Sequence, residues 1–288
     1  MIEFYCIDEY VKKSIEKLFS DEQCCGNNQD ILLDENKSFV VLYKILYNDE
    51  EYKDDEDVED NGGNKFRIFI SSIHLLNIVS MSQHIHVDAT YQVIWQGFPV
   101  LVIGTTDLNK AFHPFGLAIC SNEKKTKYFE FIFKSVQIGM QKINKALLQP
   151  TALILDAVDS IKNDFKNVFN DSYNQIMYWA HMKRKVENCI RQQKNQTILD
   201  FLNYFDSEWL KSNNGWYEGL QLYAPSTNNA LEATNKTIKD DGIFRERHVL
   251  SRFLTISSNI INNWSIEQDL SLVNARIFAT GSTISLEL

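Results

Sequence analysis

Asp88, Asp156 and Glu232 are three carboxylates whose surroundings set them apart. Asp88 stands in "QHIHVDATYQVIWQGFPVLVIGTT", an alternating apolar run of the kind that builds a sheet interior. A carboxylate there is costly unless a cation or a position at the strand's rim relieves it. Asp156 closes "PTALILD", which reads as a buried strand. Glu232 lies in "STNNALEATNKTIKDD". As a helix this segment packs Leu231, Thr234 and Ile238, and it brings Glu232, Asn235, Lys236 and Lys239 onto the adjoining face. Carboxylates gathered at one point repel, and a divalent ion such as Mg²⁺, which prefers hard oxygen ligands, removes that repulsion. Three acids holding two such ions suit in-line displacement at phosphorus, with the amide and the two lysines turned toward a phosphate backbone. A chain with 38 acidic residues offers many such triplets, so spacing alone does not single this one out.

The elements that must position these acids follow from periodicity. Strand-like runs at 84–94, 98–105 and 114–120 are separated by connections short enough for antiparallel hairpins. A helix is expected over about 127–147, with Tyr128, Phe131, Ile132, Val136, Met140, Ile143 and Leu147 at spacings of three and four. A strand at 150–156, a helix in "SIKNDFKNVF" and a strand in "NQIMYW" follow. The succession βββ-α-β-α-β predicts an α/β fold of the ribonuclease H-like pattern, a mixed five-stranded sheet flanked by helices. In that pattern the strands bearing Asp88 and Asp156 are central neighbours. Helical segments rich in Asn, Gln and Trp over about 181–228 read as an insertion before the last helix. Residues 1–60 form a flanking segment, 61–255 the main domain and 256–288 a C-terminal extension. The flanking segment holds a helical stretch, "EYVKKSIEKLF", a strand-like run, "SFVVLYKILY", and the acidic "DEEYKDDEDVED".

An apolar content of 44% over 288 residues supports a packed globule and argues against a disordered chain. Neither a signal sequence nor an apolar run of spanning length is present, so the expectation is a non-secreted protein without a membrane partner. Five scattered cysteines fit reduced thiols in the cytosol or nucleus. The net charge of −9 is uneven, with −12 over residues 1–60 and +3 over the rest. The acidic block is a solvated segment or an arm that competes with DNA for a basic groove. Lys183, Arg184, Lys185, Arg191 and Lys194 form either a solvated helix face or a DNA contact. Trp209, Trp216 and Tyr217 are read first as core, with base stacking as the alternative.

The segments "HVDATYQVIWQGFPVLVIGTTDLNKAFHPFGLAIC", "ALILDAVDSIKNDFKNVF", "YWAHMKRKV" and "TNNALEATNKTIK" occur in that order. Together they resemble the catalytic domain of MULE (Mutator-like element) transposases, of the DDE superfamily, over about residues 65–255. The resemblance implies a ribonuclease H-like fold with a helical insertion, and metal-dependent cleavage and strand transfer of double-stranded DNA at transposon ends. It implies Asp88, Asp156 and Glu232 as the catalytic acids, binding two Mg²⁺ or Mn²⁺ ions. DNA contacts are expected at His181, Lys183, Arg184, Asn235, Lys236 and Lys239, in a nuclear homo-oligomer assembled on DNA. His181 matches the histidine of a Cys-x-x-His signature whose cysteine position is Tyr178 here. The zinc-finger region usual before the domain is not evident in residues 1–60. A transposase and a catalytically inactive, domesticated nuclear DNA- or chromatin-binding derivative are the two functions the sequence leaves open. The three acids favour the first, the acidic start the second.

Overall fold

The computed structural model describes residues 13, 34–46, 65–107, 111–121, 127–155, 159–169, 174–177, 179–192, 198–212, 229–242 and 246–268. In chain order these form β1 (Ser38–Leu46), β2 (Lys65–Ser72), α1 (Ile73–Val79), β3 (His84–Thr90), β4 (Val100–Thr106), β5 (Phe112–Cys120), α2 (Lys127–Lys142), β6 (Ala152–Leu155), α3 (Asp159–Phe169), β7 (Asn174–Met177), α4 (Trp179–Gln192), α5 (Ile198–Phe205), α6 (Asn229–Thr237) and α7 (Leu250–Glu267). Short π-helical turns extend α5 over Asp206–Ser212 and α6 over Ile238–Gly242.

One mixed sheet has the order β1-β2-β5-β4-β3-β6-β7. The meander β3-β4-β5 is antiparallel, and β6 and β7 continue it in parallel from β3. All seven residues of β4 are buried, as befits a strand with neighbours on both sides and covered faces. The expected sheet of five strands is therefore extended to seven. β2 pairs antiparallel with β5, and β1 with β2. β2, where Phe66, Ile68, Phe69 and Ile70 are all buried, thus has its backbone N–H and C=O groups paired along both edges, which a strand away from water requires. β1, from the segment expected to flank the domain, thus belongs to the same sheet.

β1 leaves one edge of the sheet open among the described residues, and that edge is interrupted. Its register slips between Val40 and Leu42, and the Lys142 ammonium of α2 donates to the Val41 carbonyl at 2.8 Å. A bulge with a lysine on it is a poor template for another strand. α7 is stitched to this side by polar contacts. The Asn262 amide oxygen accepts from the Ser38 N–H at 2.7 Å, and the hydroxyl pairs Ser38–Ser258 and Ser72–Ser265 lie at 2.6 and 2.9 Å. α7 consequently crosses the boundary expected at residue 255.

α2 ends at Lys142, short of the expected 147, and Asn144 takes a positive φ of 55° just beyond it. α3 packs on α2 through Phe133, Phe165 and Phe169, with the Phe133 and Phe165 rings edge to face at 5.3 Å. The buried Asp164 carboxylate accepts from the Glu130 N–H at 3.2 Å, which ties α3 to the first turn of α2 and sets a carboxylate at its N-terminus. Trp209 is fully buried against Met182 and beside Val186, Tyr204 and Phe205, so α4, α5 and its π turn share a small core of their own. This agrees with Trp209 as a core residue. Trp216, Tyr217, "EYVKKSIEKLF" apart from Lys13, the acidic block and the C-terminal 269–288 lie outside the described residues. No helix among the described residues is long and apolar enough to cross a membrane.

Candidate active site

β3 carries Asp88 opposite Val102 of β4, two residues before the strand ends. Beyond the strand the chain turns through Gln92, whose φ of 67° is unusual for a residue with a side chain. The turn is pinned from a distance. Ile94 bridges to His248, the Trp95 N–H donates to the His248 carbonyl at 2.9 Å, and the His248 N–H donates to the Val93 carbonyl at 3.2 Å. The segment leading into α7 thereby holds the β3–β4 connection in place.

A cleft of about 750 Å³ opens at this end of the sheet. One wall is Asp88, Ala89, Thr90, Tyr91 and Gln92; the other is Glu232, Asn235, Lys236, Lys239 and Asp240. α6 lines the cleft because Leu231 and Ile238 are buried on its other side, which turns positions 232, 235, 236 and 239 toward the cleft. The helical face read from the sequence is thus the face that lines the cleft. Asp240, four residues after Lys236 and within the π turn, also lines it.

Both oxygens of the half-buried Asp88 carboxylate are engaged. Oδ1 accepts from the Ala89 N–H at 2.8 Å and Oδ2 from the Asn235 side-chain amide at 2.9 Å, across 147 residues of sequence. Asn235, expected at the DNA surface, is only 8% exposed. Its Oδ1 and the Thr90 hydroxyl are buried without a hydrogen-bond partner. Two residues before Asp88, His86 is buried beneath the site with Nε2 at 2.9 Å from the Thr106 hydroxyl. Burial, and then the neighbouring His84, push His86 down to about 3, so the ring is neutral and adds no charge below Asp88. Burial also lowers His84.

Asp88 and Glu232 therefore line one cleft, while Asp156 lies outside the described residues. In sequence Asp156 directly follows β6, which pairs in parallel with β3 through His84↔Ala152, Ile85↔Leu153 and His86↔Ile154. Among the described residues no three His, Cys, Asp or Glu side chains form a group able to hold a metal ion. The carboxylates of Asp88, Glu232 and Asp240 at the cleft are nonetheless hard oxygen donors, a set that suits a divalent cation. Lys236 is exposed beside them. Lys183, Arg184 and Lys185 are exposed on α4, which also carries His181, whose side chain is outside the described residues. Thr90, Tyr91, Gln92 and Asp240 are cleft residues that sequence reasoning missed. Their nearness to Asp88 and to Glu232 was the available signal.

Fold and cleft together define a mixed α/β domain with an acid-lined, lysine-bordered site between the end of β3 and α6. Residues 84–184 match the family model of the MULE transposase domain. The match runs from β3 into α4, so it includes Asp88 and Asp156 and ends well before Glu232. No curated protein matches the chain. The chain is thus similar, over about a third of its length, to a transposase domain, which supports a transposase-family function and implies DNA as a partner.

Proposed function

We propose that this chain is the catalytic domain of a DDE-type transposase with a ribonuclease H-like core, hydrolysing DNA phosphodiesters at transposon ends and joining the freed 3′ ends to target DNA. The observation that carries this reading is the meeting of Asp88 and Glu232 in one cleft, since Glu232 lies outside the segment that matches the family model. The order β5-β4-β3-β6-β7 within the sheet supports the ribonuclease H-like core. Asp88, Asp156 and Glu232 would hold two Mg²⁺ or Mn²⁺ ions, which when bound activate an attacking oxygen and stabilise the leaving one. The chain's own residues supply the rest. The β3 backbone and the Ala89 N–H fix the Asp88 carboxylate. Lys236 and Lys239 offer ammonium groups to the phosphates flanking the scissile bond. Lys183, Arg184 and Lys185, exposed on α4, would offer further charge to the DNA. Duplex DNA is the substrate, a homo-oligomer on the DNA the working form, and the nucleus its place of action.

Plasmid nicking in Mn²⁺ tests the reading with wild type, Asp88→Ala, Asp156→Ala and Glu232→Ala. Nicking by wild type, reduced at least 100-fold in each variant, is the expected result. Equal nicking by all four, or none by any, rejects it. Duplex binding without nicking would instead favour the domesticated, non-catalytic reading.

A further inference from the structure

Asn235 is unlike its neighbours on α6. Glu232, Ala233, Lys236 and Thr237 are exposed, yet Asn235 is buried with its amide on Asp88. An exposed helix face would gain nothing from burying an amide whose carbonyl then goes unpaired, at a typical cost of about 1–3 kcal/mol. The bond instead does two things. It fixes the Asp88 carboxylate from the second side, the Ala89 N–H having fixed the first. It also ties α6 to β3 three residues from Glu232, so the spacing between the two acids depends on it. A lysine or arginine here would orient the carboxylate equally well but would repel a divalent cation. A neutral amide orients the carboxylate and leaves its charge available.

We infer that Asn235 is a positioning residue, which sets the orientation of Asp88 and its distance from Glu232 and so prepares the pair for a divalent cation. This inference rests on the two acids being cation ligands, as proposed above. It replaces the DNA contact expected for Asn235 with a role inside the protein.

Mn²⁺ binding to the whole chain, followed by electron paramagnetic resonance of the free ion, tests this independently of activity. The proteins are wild type, Asp88→Ala, Asn235→Ala and Asn235→Leu; alanine keeps the helix and leucine fills the volume without a donor. Thermal melts establish that each is folded. Both Asn235 variants should bind Mn²⁺ about 10- to 100-fold more weakly. Their nicking should recover to within a few-fold of wild type at saturating Mn²⁺, and their metal-free affinity for duplex DNA should be unchanged. Wild-type Mn²⁺ affinity in folded Asn235→Ala or Asn235→Leu, with binding lost in Asp88→Ala, overturns the inference and leaves the proposed function standing. A fall in metal-free DNA affinity without a fall in Mn²⁺ affinity also overturns it, returning Asn235 to the DNA surface. No Mn²⁺ binding by wild type, or equal binding by Asp88→Ala, removes the proposed function and this inference with it.

Discussion

Burial pushes the Cys120 thiol up to about 12, against the smaller opposing pull of Arg67. A thiol raised above its unfolded value near 9 contributes stability that is complete below pH 9 and is lost as the pH climbs toward 12. Between pH 8 and 10, wild type should lose roughly 1 kcal/mol more stability than Cys120→Ala, read by urea denaturation at each pH. Helical spacing was enough to group Glu232, Asn235, Lys236 and Lys239, because the buried Leu231 and Ile238 dictate which way the helix turns. Spacing could not separate Asn235 from its exposed neighbours. Whether a polar position on a helix meets water or a strand is decided by the partner, here Asp88, and not by the helix.

Gly104 shows the same dependence at the scale of an element. The β4–β5 register shifts between Ile103 and Gly104, and a Cβ at 104 would overlap the His113 carbonyl oxygen and the Phe112 ring. Gly104→Ala should therefore cost about 2–4 kcal/mol, seen as a lowered denaturation midpoint with little change in slope. The hairpins of the meander were legible because short connections leave antiparallel pairing as the simple outcome. The pairing of β1 with β2 was not. "SFVVLYKILY" reads as a strand, but a partner across the acidic block is chosen by the backbone edge of β2 that β5 leaves free and by α7, neither of which is local to β1. The π turn after α6 was equally hidden. A 3.6-residue period does not anticipate its wider winding, although the spacing of four from Lys236 already set Asp240 near the cleft-lining face.

For the whole molecule, charge is divided between an acidic start and a mildly basic body, and the cleft lies in the body. Replacing Lys236 and Lys239 together with glutamine should weaken duplex binding and flatten the plot of log affinity against log salt by about 0.9 for each phosphate no longer neutralised. Fluorescence anisotropy across a salt series measures both quantities. An unchanged slope would mean that DNA follows another face, such as that of Lys183, Arg184 and Lys185 on α4.

The pairing of Val93 and Trp95 with His248 carries a consequence for how the domain opens. One wall of the cleft is fastened to the chain just ahead of α7, and α7 is fastened to β1 and β2 at the far side of the sheet. The wall, the C-terminal helix and the outer strands should then exchange their amide hydrogens as a single cooperative unit, with the Trp95 and His248 amides lasting about as long as those of α7. Native-state exchange read by mass spectrometry would show this as one protection class. In α7, Asn262→Ala would shorten the lifetimes of all of them together, so the outer strands would govern how often the cleft comes apart.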